Sequence, residues 1–133
     1  MIMKLSAVII VAAMLLASSA VVFAAVANSY LGSYRVEASK EITQNAYYNN
    51  VYAYSAFVGL FQPTSDCYTS ISATISYKDG SGIIRYVYPG NNGPYTSSEI
   101  NWDLPSGNQP GSINASTSHV CALLGYGSWA PNL

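Results

Sequence analysis

His119 is the only histidine in the chain, so a serine-dependent hydrolytic site would have to be built around it. Such a site needs a serine nucleophile held against the imidazole and a third group that orients the ring. Serines are frequent, but none lies in the G-x-S-x-G turn that exposes a nucleophile at the end of a strand. Strand alternation places His119 on the same inward face as Cys121. The sequence therefore predicts a buried histidine hydrogen-bonded to the backbone rather than a catalytic base.

Two carboxylates, Glu99 and Asp103, share one face of a predicted strand and raise the question of glycoside hydrolysis. Four residues at a rise of about 3.3 Å separate their Cα atoms by roughly 13 Å. Glycosidases hold their two carboxyl groups only about 5–9.5 Å apart. Asp66 and Asp79 flank turns, where aspartate usually accepts hydrogen bonds from the backbone. We therefore predict that the protein is not an enzyme.

The two cysteines, Cys67 and Cys121, form an even set, which in a short exported chain indicates a disulfide. Both fall on the inward faces of predicted strands, so the predicted bridge joins two packed sheets. Two buried thiols are the alternative. Because two distant cysteines and one histidine fall short of four suitable ligands, we expect no metal and no cofactor.

The remaining chemistry is aromatic, since the chain contains 12 tyrosines and 2 tryptophans while only 8% of its residues are charged. Tyrosine, serine, glycine and asparagine also dominate evolved binding loops, because tyrosine offers contact area at a small entropic cost. The loop from Tyr86 to Tyr95 is the best candidate for a recognition edge, and the tryptophans could stack on sugars. The alternative is that the tryptophans fill the core or close the ends of the fold. The candidate binding residues are Tyr86, Tyr88, Asn91, Asn92, Tyr95, Trp102 and Trp129.

Short strands must position these residues, because apolar and polar residues alternate with a period of two between turn sequences. The clearest strand runs from Cys67 to Tyr77, and Asp79-Gly80 leads from it into Ile83–Tyr88 as a hairpin. Six or seven strands at this spacing predict an all-β fold, a small antiparallel sandwich. Its architecture would be immunoglobulin-like without the cysteine and tryptophan signature of that family. The other predicted strands are Tyr34–Ala38, Val51–Phe61, Tyr95–Asp103 and Ile113–Leu123.

The N-terminus has the three parts of a secretory signal peptide. Lys4 precedes an uncharged run from Leu5 to Ala27, and small residues suitable for cleavage end this run at Ala24 and again at Ala27. We expect residues 1–27 to be removed and residues 28–133 to form one extracellular β domain. An uncleaved anchor is the alternative, because more than about 18 apolar residues can span a bilayer. The expected location is secreted or at the cell surface.

Charge narrows the range of partners. The formal net charge is −1, and the few basic residues are scattered along the chain. They do not form the basic stripe that nucleic acid or an anionic membrane requires. The sequence therefore predicts no nucleic acid and, after signal cleavage, no membrane as a partner. A cell-wall glycan or a surface protein is the expected partner, and self-association through open sheet edges is compatible with the composition.

A late Ser118-His119-Val120, followed by Gly125-Tyr126-Gly127-Ser128-Trp129, accompanies the leader and the strands rich in serine and tyrosine. In these features the chain resembles small secreted β-sandwich proteins of Gram-positive bacteria, some of them lactococcin-972-like bacteriocins. The resemblance implies a secreted antibacterial protein. Three hypotheses therefore stand: a secreted, non-catalytic binding module that uses tyrosine and asparagine loops, a subunit of an extracellular fibre or coat joined by strand pairing, and a bacteriocin.

Overall fold

The computed structural model describes residues 21–64 and 66–133, and in these residues the chain forms nine strands and no helix. A helix long and apolar enough to cross a membrane is therefore not found within this part of the chain. The strands are β1 (Val21–Leu31), β2 (Tyr34–Gln44), β3 (Asn49–Val58), β4 (Cys67–Lys78), β5 (Ile84–Val87), β6 (Gly90–Gly93), β7 (Ser97–Asp103), β8 (Asn114–Leu123) and β9 (Gly127–Trp129).

The strands form two antiparallel sheets that pack against each other. Sheet A has the order β1-β2-β3-β7, and sheet B has the order β5-β4-β8-β9. Strand β6 belongs to sheet B as well, since it pairs with β4 beyond the end of β5. Strand β4 therefore has β8 on one side and the successive strands β5 and β6 on the other. The prediction of an all-β fold of two antiparallel sheets is confirmed.

Alternation explains why β4 and β8 form the centre of sheet B. On β4, Ile71, Ala73 and Ile75 are buried, whereas Ser72 and Thr74 between them are exposed. Strand β8 repeats this pattern opposite β4. One face of each strand is thus apolar and the other carries hydroxyl groups, which directs the apolar face towards sheet A.

The predicted hairpin between β4 and β5 is confirmed, with Ser76 opposite Tyr86. The count of six or seven strands was too low, because β1, β6 and β9 were not predicted. Strand β6 has the sequence Gly90-Asn91-Asn92-Gly93, which has the composition of a turn but lies along the edge of β4. Strand β3 is central, as expected, but it ends at Val58, so that Phe61 is exposed.

The core consists of two apolar clusters, one towards each end of the sandwich. One contains Ile42, Val51, Ile71, Ile75 and Ile100 with four smaller or adjoining residues, Ala53, Ala73, Ile113 and Ala115. The other contains Leu31, Val36, Phe57, Cys67, Cys121 and Leu123. Seven buried residues carry polar side chains on the inward faces of the strands, and we call five of them the polar belt: Ser55, Thr69, Ser98, Thr117 and His119.

The predicted disulfide is not formed: Cys67 and Cys121 are both buried free thiols. They do not lie in opposite sheets, because β4 and β8 are neighbours in sheet B. The register places Cys67 opposite Leu123 and Cys121 opposite Thr69, so the two cysteines are diagonal neighbours. Diagonal Cα atoms lie about 7–8 Å apart, whereas a disulfide needs roughly 4.4–6.8 Å.

The leader expected over residues 1–27 coincides only in its last part with the described residues. Residues 1–20 lie outside them, whereas Val21–Ala27 forms the first part of β1. This part pairs with β2 without interruption, from Val21 opposite Gln44 to Ala27 opposite Ala38. Seven residues that the sequence placed in the leader thus take part in sheet A.

Candidate functional site

His119 lies inside the sandwich and is only 1% exposed. Its Nδ1 atom is 3.0 Å from Oγ of Ser55 on β3, and its Nε2 atom is 2.8 Å from Oγ1 of Thr117 on its own strand. The prediction of a buried histidine is confirmed. Each of its two ring nitrogens contacts one side-chain hydroxyl. Because a catalytic triad would place a carboxylate at one ring nitrogen, this arrangement suits a structural role.

Hydrogen-bond donors in the polar belt indicate which imidazole nitrogen carries the proton. The hydroxyl of Ser55 donates to the carbonyl oxygen of Ser70 at 2.7 Å, so its oxygen remains free to accept from Nδ1–H of His119. Nε2 then accepts from the hydroxyl of Thr117. Burial, together with the nearby charge of Lys40, lowers the pKa of His119 to about 4. The ring is therefore neutral at neutral pH.

The other half of the polar belt connects β4 with β7. Oγ1 of Thr69 and Oγ of Ser98 are 2.7 Å apart, and each hydroxyl also lies within reach of a backbone carbonyl, that of Tyr95 for Thr69 and that of Thr69 for Ser98. In the described residues, no buried polar side-chain atom lacks a partner. The belt thus fastens sheet A to sheet B by hydrogen bonds, and it is closed to solvent.

The carboxylates Glu99 and Asp103 lie on the outer face of sheet A, and each has a separate partner. Glu99 accepts a hydrogen bond from the phenol of Tyr52 at 2.7 Å, and Asp103 accepts one from the amide of Asn50 at 2.8 Å. The hydrogen bond to Glu99 is the main reason why the pKa of Tyr52 is raised. In the described residues, three or more histidine, cysteine or acidic side chains nowhere come close enough to hold a metal ion.

The outer face of sheet B has a different character. Register places Ser72 opposite Ser118, Thr74 opposite Ser116 and Ser76 opposite Asn114. These six residues, Ser72, Thr74, Ser76, Asn114, Ser116 and Ser118, form a regular array of hydroxyl and amide groups, which we call the hydroxyl face. Five of them are exposed and Ser76 is half-buried. All six side chains are uncharged and both donate and accept hydrogen bonds.

Two tyrosines border the hydroxyl face and turn it into two shallow hollows. One hollow, of about 270 Å³, is lined by Tyr88 together with Ser72, Thr74, Ser116 and Ser118 on the neighbouring strands. The second, of about 280 Å³, is lined by Tyr86 with Thr74, Ser76, Asn114 and Ser116. Thr74 and Ser116 border both hollows. Tyr86 is 58% exposed and Tyr88 is 73% exposed, so each ring can provide an apolar surface beside polar groups.

Local structure at both ends of the β5–β6 edge positions these two tyrosines. Asp79 closes the turn after β4, because its carboxylate accepts from the backbone N–H groups of Ser81 and Ile83 and from the guanidinium of Arg85. These hydrogen bonds lower the pKa of Asp79. Beyond β5, the N–H of Ala73 donates to the carbonyl of Pro89 at 3.0 Å, which keeps the chain against β4 beside Tyr88.

The other three loop residues in the candidate set, Asn91, Asn92 and Tyr95, do not all lie on the same side of sheet B. Asn92 lies opposite Ser70, on the outward side of sheet B, whereas the amide of Asn91 donates to the carbonyl of Glu99 on sheet A. The ring of Tyr95 lies against Gly93, where a Cβ atom would approach the ring to 2.3 Å. Of these three, only Asn92 shares the outward face with Tyr86.

The two tryptophans are separate from the hydroxyl face. Trp102 is half-buried against the first core cluster, and its ring centroid is 5.5 Å from that of Tyr77. Trp129 is half-buried against the second cluster. The structure therefore brings Tyr86 and Tyr88 together at one surface and places the tryptophans against the core.

Sequence reasoning did not single out the hydroxyls of the hydroxyl face as candidate residues. Their signal was present in the alternation of β4 and β8, which already assigned Ser72 and Thr74 to an outward face. What it did not show is that β8 pairs with β4 in a register that opposes Ser118 with Ser72. That register creates an array from two separate serine-rich segments.

The two outer faces of the sandwich also differ in charge. Sheet A carries Glu37, Glu41, Glu99 and Asp103 on or beside its outer face, whereas the hydroxyl face is uncharged. No protein-family model, curated protein or solved structure matches this chain.

Proposed function

We propose that the chain is an exported, non-catalytic binding module whose hydroxyl face, with Tyr86 and Tyr88, binds a neutral glycan. The observation that carries this proposal is the pair of adjoining hollows that share Thr74 and Ser116. Sugar hydroxyls need partners that donate and accept, and serine, threonine and asparagine side chains do both. The exposed tyrosine rings supply the flat apolar surface on which a sugar ring can lie.

The spacing of the two tyrosines favours an oligosaccharide over a single sugar. Residues two apart in an extended chain lie about 6.6 Å apart on the same side, so Tyr86 and Tyr88 can each face a different sugar ring. Because the hollows are shallow and open, the affinity is expected to come from several weak contacts along one chain. A cell-wall polysaccharide presents such repeated rings.

The test is a pull-down of the purified β domain on insoluble neutral polysaccharides and on peptidoglycan, followed by titration with soluble oligosaccharides. We expect the substitution of both Tyr86 and Tyr88 by alanine to weaken binding at least about tenfold, which corresponds to roughly 1.4 kcal/mol. Tyr30→Ala is the matched control, since Tyr30 is an exposed tyrosine on sheet A. Unchanged binding by the double variant, or equal loss in Tyr30→Ala, would refute the assignment to the hydroxyl face.

A fibre or coat subunit is the second candidate, and β1 favours it. Strand β1 is the edge of sheet A, with its second backbone edge unpaired in the described residues. Val22 and Val26 on its outer side are more than half exposed. An exposed apolar edge strand is a template for pairing with another chain. Electron microscopy of the purified protein tests this: regular fibres would support it, and a persistent monomer at high concentration would reject it.

A further inference from the structure

Val21–Ala27 completes sheet A at its edge. These residues pair with Ala38–Gln44 of β2, and the same ladder continues to Leu31 opposite Tyr34. The other side of β2 is occupied by β3. Without Val21–Ala27, β2 would keep a partner on that edge only over its first four residues. The remaining seven residues would expose unpaired backbone groups.

The inward side chains of this segment also line a cavity beside the core. Phe23 and Ala25 line a cavity of about 430 Å³ together with Ile42 on β2 and Ile113 next to β8. Ile42 and Ile113 belong to the first core cluster, and each is only 6% exposed. Phe23 is itself 56% exposed and Ala25 is half-buried, so the segment borders this edge of the core without being enclosed by it. The uninterrupted pairing with β2 is therefore the property that marks the segment as a folded strand.

The residues that precede Val21 contain a complete signal peptide of their own. Lys4 is followed by an apolar stretch from Leu5 to Leu16, which is within the usual length of about 7–15 residues. Ser18-Ser19-Ala20 then supplies small residues at the positions −3 and −1 of a cleavage site. A leader that ended at Ala27 would need an uncharged run of 5–27, well beyond that usual length.

We propose that signal peptidase cleaves after Ala20, so that the mature protein begins at Val21 with β1 intact. This inference rests on the export that the proposed function assumes. Processing at Ala24 or Ala27 would instead remove part or all of the pairing of Val21–Ala27 with β2.

The test is the intact mass and N-terminal sequence of the full-length chain after export from a bacterial host. We expect a protein that begins at Val21. Ala20→Phe places a large side chain at position −1 and should abolish this product. Ala24→Phe is the matched control, because Ala24 is exposed on the outer side of β1, and it should leave the cleavage unchanged.

Other products would overturn the proposal. A mature chain that begins at Ala25 or Asn28 contradicts it directly, and an uncut chain contradicts the cleavage itself. Glycan binding is measured on the purified domain, so its failure is distinguishable from a failure of processing.

As a second measurement, a chain that begins at Asn28 should have a thermal midpoint lower by about 5 °C or more than one that begins at Val21, or fail to fold. Equal midpoints would refute the structural role of Val21–Ala27.

Discussion

Ser55 and His119 connect the two sheets through a hydrogen bond of 3.0 Å between Oγ and Nδ1. Ser55 is on β3 of sheet A and His119 is on β8 of sheet B, and both are almost fully buried. A buried polar pair with every group satisfied restricts how the two layers can slide past each other. The only histidine thus helps to set the relative position of the sheets.

We predict that His119 makes the fold less stable in acid. Because its pKa is about 4 in the folded state and near 6.5 when solvated, the unfolded chain binds more protons between these values. Its contribution is complete above pH 6.5 and decreases as the pH falls towards 4, by roughly 3 kcal/mol over the whole range. Chemical denaturation at several pH values should show that the free energy of unfolding decreases less on acidification in His119→Gln than in the wild type. Parallel curves for the two proteins would contradict this role.

We predict that Gly32→Ala destabilises the hairpin between β1 and β2. Gly32 has φ of +62° and occupies the first central position of a two-residue turn, where glycine is preferred. A Cβ atom would also lie 2.5 Å from the ring of Tyr126. We expect the free energy of unfolding to fall by about 1–2 kcal/mol because of the backbone strain. Displacement of the Tyr126 ring should lower it further.

Gly107→Ala is the control for this prediction, since Gly107 also has positive φ but has open space at its Cβ position. Thermal unfolding should show a larger loss for Gly32→Ala. When Tyr126 is replaced by alanine as well, the difference between the two glycine variants should decrease. An unchanged difference would show that the ring of Tyr126 makes no contribution.

We predict that Cys67 and Cys121 react with a thiol reagent only after unfolding. Both are buried, and burial raises the pKa of Cys121 to about 12, so that the reactive thiolate is suppressed at neutral pH. A colorimetric thiol assay should detect both groups in denaturant and neither in native buffer. A reducing agent should leave the thermal midpoint unchanged. A midpoint that falls on reduction would contradict the unbonded pair.

We predict that Tyr54 ionises at an unusually high pH because of Glu37. The phenol of Tyr54 donates a hydrogen bond to the carboxylate of Glu37, and this bond raises the pKa of Tyr54 to about 12. Spectroscopic titration of the tyrosines should show this group moving towards its ordinary value near 10 in Glu37→Gln. Glu41→Gln is the control, since Glu41 accepts a hydrogen bond from Thr43. Equal shifts in both variants would indicate a general charge effect.

The elements with strict alternation could be predicted from the sequence because burial of one face leaves a period of two. Strand β4 agrees with its predicted range within one residue, and the inward face of β8 was assigned correctly. Strand β6 was missed because glycine and asparagine indicate a turn, whereas its pairing depends on the neighbouring β4. Strand β1 was missed because its apolar residues also suit the end of a leader.

The candidate site was predictable only in part. Exposed tyrosines near residue 88 followed from a tyrosine content too high for a small core, and Tyr86 and Tyr88 do lie together. The serines opposite them could not be assigned, since their approach requires the register between β4 and β8. The same register separates the two cysteines, which the sequence paired on the basis of their even number and their inward positions.

The sequence by itself determined the class of fold and the inward or outward side of most strand residues, since both follow from local turn residues and alternation. It also determined that His119 is buried. Only the tertiary structure decided which strands are neighbours, because strand pairing joins residues far apart in the chain and depends on how all the apolar faces are covered together. The hydroxyl face, the unbonded cysteines and the participation of Val21–Ala27 in sheet A all result from that pairing.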